Sequence, residues 1–272
     1  MKFILVILFL ITSCTSQDIN ETELRQRIFD YGNKKNWSKS KETAILLLEN
    51  FKNSDERETY YNVLALSISN QCWEYRKINK LPPDTTQPRG TIVLYLSEKL
   101  NNKTIKMYNE LIEIVNKYFK EYPDGQFEDS FYTYLISAFE LQGRHNKVQE
   151  ICKKLYKSNK QNLKMKAAFH LGRFAHFQKK YKTAIEYYMF IIDNLGDSEH
   201  QVLYNYLIAN CYYELKDIEN TYKYLDNVFE LTEKDKKNDV RKMAEIMANH
   251  LKNNNRKFNR HFVVIQDPAN TN

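Results

Sequence analysis

The sequence predicts an all-α solenoid of stacked helix pairs, and three observations point to it. Breakers are scarce, with 6 Gly and 5 Pro among 272 residues, which suits long helices rather than turn-rich sheets. Apolar residues recur at i, i+3, i+4 and i+7, the spacing that lines one face of a helix. The same slots then return at a longer period. Leu135, Leu171 and Ile208 are 36 and 37 residues apart, and so are Val148, Ala184 and Thr221. A period in that range marks helix pairs stacked side by side, each contacting only its neighbours.

Residues 1–13 stand apart. Lys2 precedes an unbroken apolar run over 3–11, too short for a bilayer span of about 20 residues but the length of a signal-peptide core. Ile11-Thr12-Ser13-Cys14 follows. This resembles the lipobox of bacterial lipoproteins, in which an aliphatic residue and two small ones precede a cysteine. The resemblance implies that Cys14 is acylated and becomes the mature N-terminus. Residues 14–20 would then be a polar tether. The location implied is the bacterial cell envelope. Thr15 stands where an inner-membrane retention Asp would be, which favours the outer membrane.

Residues 21–80 read as two degenerate helix pairs. Leu24, Ile28 and Tyr31 open one stripe, and Ala44, Leu47, Leu48 and Phe51 another. Trp37 falls in the turn between them. Asp55 and Glu58 look like a capping pair for a third helix carrying Tyr60, Val63, Leu64 and Ile68. The segment 81–90, LPPDTTQPRG, holds three of the five prolines and stops any helix. It reads as a linker before a regular solenoid over 91–233, or equally as a long inter-helix loop. The pairs expected in that solenoid are 92–125, 129–161, 165–196 and 202–232, with Pro123-Asp124-Gly125 ending the first. A capping helix follows at 238–252, with Val240, Met243, Ala244, Met247 and Leu251 on one face. The tail 253–272 is basic, and His261 to Ile265 is β-prone. It is expected either to pack on the last helices or to add a strand to a partner's sheet.

The clearest repeat runs from Met165 to Ser198. It places Ala168, Leu171-Gly172, Ala175, Ala184 and Tyr188 at the spacing W-x2-L-G-x2-Y, then A-x3-F. That resembles the tetratricopeptide repeat. The resemblance implies a right-handed solenoid whose first helices line a concave groove that holds another protein. Groove positions carried over are Ser130, Thr133, Ser137, Glu140 and Leu141, then Lys166, Phe169, Arg173, His176 and Phe177, then Leu203, Tyr206, Asn210, Tyr213 and Glu214. Of these, Phe169, Arg173, His176, Phe177, Tyr206, Asn210 and Tyr213 are the expected partner-binding set. Aromatic and Arg side chains are the types that anchor interfaces. Gly172, Ala175, Ala184 and Ala209 read as packing residues.

Chemistry is not expected. There is no G-x-S-x-G, Walker loop or G-x-G-x-x-G, and the six histidines lack metal-ligand spacing, so no cofactor is expected. Cys72, Cys152 and Cys211 are an odd set without C-x-x-C, which fits buried thiols better than a disulfide framework. The net charge of +7 is spread among acids along the helices, a solvated pattern. A nucleic-acid role does not fit an exported chain, whereas a weak attraction to anionic lipid head groups does. The functional expectation is therefore a membrane-anchored interaction scaffold, more narrowly a subunit of an outer-membrane assembly machine. The alternative is a glycan- or small-ligand-binding lipoprotein with an aromatic pocket lined by Trp37 or Trp73.

Overall fold

A computed structural model describes residues 20–78, 102–196 and 200–253. The expected signal segment, Cys14, nearly all of the expected tether, the 81–90 segment, the helix expected at 91–100 and the tail lie outside the described residues. Within them are eleven helices: α1 (Glu21–Asn33), α2 (Trp37–Asn50), α3 (Arg57–Ile78), α4 (Asn102–Glu121), α5 (Glu128–Leu141), α6 (His145–Leu155), α7 (Gln161–Phe177), α8 (Tyr181–Asn194), α9 (Gln201–Glu214), α10 (Ile218–Leu231) and α11 (Asp239–Asn253). Each packs on the next in sequence. The result is an all-α solenoid of pairs α1/α2, α3/α4, α5/α6, α7/α8 and α9/α10, closed by α11.

The pairing corrects one expectation. Helix α4 was read as the second member of a pair opened at 91–100. Instead α3 packs directly against α4, and one apolar cluster runs from Ala44 and Leu64 through Leu111 and Val115 to Leu135 and Leu163. Helices α3 and α4 thus pack as one pair, while the helix expected at 91–100 lies outside the described residues. Helices on both sides of the 81–90 segment share this apolar core. Glu58 is not a capping partner of Asp55 either. Its carboxylate accepts a 2.6 Å hydrogen bond from the Tyr118 hydroxyl and faces the Phe127 amide.

Short-range chemistry sets the remaining ends. Asn20, Asn36 and Asp217 accept backbone N–H groups at the starts of α1, α2 and α10, and Asn238 does so for α11, satisfying donors that a helix N-terminus leaves open. Four intra-pair turns share one geometry. Lys35, Gly143, Lys179 and Lys216 have φ of 53°, 69°, 60° and 61°. At the third, Lys179 N–H donates to His176 O at 2.9 Å and Lys180 N–H to Ala175 O at 2.8 Å. The other three turns repeat both bonds. This is the Schellman ending, whose left-handed residue is usually glycine. Here three of the four are lysines.

The two helices of a pair meet through small residues. A Cβ on Gly172 would stand 2.6 Å from the Tyr188 ring of α8, so the close approach inferred from the Leu171-Gly172 motif is real. Tyr188 is fully buried. Helix α11 covers the end of the stack with Ala244, Met247 and Ala248 and turns Lys242, Glu245 and Asn249 outward.

Two variants test this packing. Gly172→Ala should destabilise by about 1–3 kcal/mol through overpacking, visible as a lowered Tm, whereas Gly196→Ala, with open space around it, should not. Lys179→Gly should stabilise by about 0.5–1 kcal/mol. Relief of a left-handed side-chain conformation outweighs the added unfolded-state entropy. An unchanged or lower Tm for Lys179→Gly would contradict the shared turn geometry.

Candidate functional site

The first helices of the pairs bring their motif residues into register. Leu64, Leu135, Leu171 and Ile208 occupy equivalent places on α3, α5, α7 and α9. Counting from them along the helix period, one row follows: Asn62, Leu66 and Asn70 on α3; Thr133, Ser137, Glu140 and Leu141 on α5; Phe169, Arg173, His176 and Phe177 on α7; Tyr206, Asn210, Tyr213 and Glu214 on α9. Residues spaced by three and four share a helix side. The row is therefore one face, running across successive pairs.

Neighbouring helices stitch this face together with polar contacts. Lys166 of α7 reaches the α5 start, with Nζ 2.9 Å from Asp129 Oδ1 and 3.0 Å from Asp129 O, and it also donates to the Thr133 hydroxyl. Further along, His170 Nδ1 lies 2.9 Å and Arg173 Nη1 3.4 Å from Glu140 Oε1. Arg173 also rests on the Phe169 ring, 5.3 Å from its centre. Between α7 and α9, His176 Nδ1 lies 3.4 Å from Cys211 Sγ, and Tyr181 at the start of α8 donates to Glu214 of α9 at 3.2 Å.

Glu140 is a carboxylate buried against cationic side chains. It is 7% exposed. Burial alone would raise its carboxyl, but the charges of His170 and Arg173 and the His170 hydrogen bond hold it down to about 2. A buried carboxylate with cationic partners is a structural clamp between α5 and α7. Cys152 and Cys211 are buried, and burial pushes both thiols up, away from the thiolate a nucleophile needs. Among the described residues no cluster of three His, Cys, Asp or Glu is placed to hold a metal.

The seven residues expected to bind a partner divide. Phe169, His176, Tyr206 and Asn210 are buried, which corrects the expectation of one exposed aromatic face. Each first helix is flanked by neighbours on both sides, so these side chains go into packing between pairs. On α9, everything from 204 to 211 is buried. Arg173 and Tyr213 are half-buried, and Phe177 is exposed at the very end of α7. Accessible positions that the expected set omitted are Leu66 and Asn70 on α3 and Ser137 on α5. Leu66 was hidden because α3 was out of phase with the repeat. The pairing of His170 with Glu140 has no local sequence signal, since the two are 30 residues apart in the chain. Trp37 and Trp73 do not line this face. Both stand by intra-pair connections, and Trp37 Nε1 donates to Glu74 at 2.9 Å.

No family model matches the chain, and no curated protein does. Among solved structures, one titled "MamA MSR-1 C2" is similar over 80% of this chain and 99% of its own, at 13% identity and a TM-score of 0.47. The fold is read from the helix pairing above. No helix among the described residues is long and apolar enough to cross a membrane.

The clamp makes a pH prediction. Glu140 titrates lower when folded than the usual 4.3 of an unfolded Glu. Its contribution is therefore complete above about pH 5 and lost as pH falls through about 2. It amounts to about 3 kcal/mol. Urea melts of Glu140→Gln should show a lower midpoint at neutral pH and a weaker loss between pH 5 and 2 than wild type. Parallel pH curves for the two proteins would place the acid sensitivity elsewhere.

Proposed function

We propose that this chain is an envelope lipoprotein, anchored through acyl chains on Cys14, that holds a protein segment along its inner face. A solenoid of paired helices offers an extended concave surface and little else, and the fold therefore supports an interaction scaffold. The observation that carries the reading is the inner row itself. Leu66, Ser137, Arg173 and Tyr213 leave accessible atoms at repeating positions on rigid helices, among side chains already fixed by packing. Preorganised positions of that kind lower the ordering cost of binding an extended segment. The narrower role is in outer-membrane protein assembly, and its support is the layout of lipidated cysteine, tether and helix pairs.

Three measurements test these levels separately. Cys14→Ala should move the protein from the detergent phase to the aqueous phase, or leave it uncleaved. Partitioning like wild type would remove the anchor. In crosslinked envelopes, Leu66→Glu combined with Ser137→Glu should lose the partner that wild type captures while melting like wild type. An identical partner set would move the site off the inner face. Arg173 is a poor choice for that test, because its removal unclamps Glu140. Deleting the gene should deplete folded outer-membrane barrels, and unchanged barrel levels would exclude the assembly role.

A further inference from the structure

The two edges of the solenoid differ in chemistry. The turns at 34–36, 142–144, 178–180 and 215–217 lie along one edge, because the helices they join stack in register. The contacts of His176 with Cys211 and Tyr181 with Glu214 fix that alignment at the turn ends. These four turns carry the exposed cations Lys34, Lys35, Arg144, Lys179, Lys180 and Lys216. The one acid within the turns, Asp217, is turned back onto the Asn220 amide as a helix cap; Glu74, which accepts from Trp37, and Glu219 are exposed acids beside them. The opposite edge mixes signs and pairs them, as Arg25 with Glu56 and Lys160 with Glu128.

Exposed apolar side chains gather on the same cationic edge. Phe177 is 55% exposed, Trp73 51%, Ile218 45% and Leu215 38%. Both tryptophans of the chain stand there, Trp37 opening α2 and Trp73 near the end of α3. Three of the cations also occupy left-handed turn positions, where glycine is the favoured residue. A residue held in a disfavoured conformation on a surface points to a use for its side chain. Lysines flanking exposed Trp, Phe and Ile match the chemistry of a bilayer interface with anionic head groups.

We propose that this turn edge docks on an anionic lipid surface. The cations meet the head groups, and Phe177, Trp73 and Ile218 enter the interfacial layer. The inference does not depend on acylation of Cys14 or on the occupant of the inner face. It sets the orientation of the solenoid on the membrane. Helix α1 begins on the opposite edge, so tethering by the N-terminus alone would bring that other edge nearest the lipid.

The test uses the unacylated full-length chain with vesicles of phosphatidylcholine and phosphatidylglycerol, part of the lipid brominated on its acyl chains. Wild type should bind with its tryptophan emission quenched. The combination Lys35→Gly, Lys179→Gly and Lys216→Gly, whose fold should be strengthened, should bind these vesicles about tenfold or more weakly. Lys153→Gln, Lys154→Gln and Lys157→Gln together remove the same charge from exposed positions away from this edge, and should bind like wild type. Equal binding by the glycine variant, an equal loss in the glutamine variant, or unquenched tryptophans on bound protein would each overturn the proposal.

Discussion

The stack depends on a junction built around Tyr118. Its ring lies parallel to Phe131 with centres 3.6 Å apart. Its hydroxyl donates to Glu58 and accepts the Phe127 amide at 3.1 Å. Three helices, α3, α4 and α5, thus meet at one side chain that is fully buried. Gly125 passes so close to this hydroxyl that even a Cβ would collide with it. Arg57 ties the same region together from outside, pairing with Glu121 at 3.0 Å and with the Leu48 carbonyl. This junction adds directional polar contacts to the apolar core that the first two pairs share with the pairs that follow.

Every later pair repeats a simpler scheme. A helix pair alone cannot bury both faces of its first helix, so stability comes from the neighbours. That is why Tyr206 and Asn210 disappear into the stack although their spacing resembles a groove face. It is also why the polar contacts lie between pairs, where Glu140 meets Arg173 and Asp129 meets Lys166. The buried Glu140–Arg173 pair and the more exposed Asp129–Lys166 pair set register between helices that apolar contacts alone would let slide. The inner face left open is narrower as a result, and more polar, than a row of aromatic anchors.

The sequence exposed what was periodic. The slots at Leu135, Leu171 and Ile208 placed α5 through α10 to within a few residues, and the α11 stripe was visible as a cap. The α3–α4 pair was not legible, because residues 79–101 interrupt the period between its two helices and moved the apparent first helix downstream. Burial of Phe169 and His176 could not be read either, since a helix flanked on both sides hides residues that periodicity assigns to an open face. The left-handed lysines were invisible for a different reason. Turn propensity favours glycine there, and only the backbone angle reveals the exception. Of the candidate site, the face was found with Ser137, Arg173, Phe177 and Tyr213 on it, while Leu66 and Asn70 of α3 were missed.

The central claim is that one continuous solenoid runs from α1 to α11, with α3 and α4 packed as one of its pairs. It is tested most directly by introducing a specific protease site between Leu81 and Gly90 and cleaving the folded protein. The account predicts two fragments that stay associated through the Tyr118 junction, co-eluting as one species and melting in one transition. Fragments that separate without denaturant, or that melt independently, would contradict it.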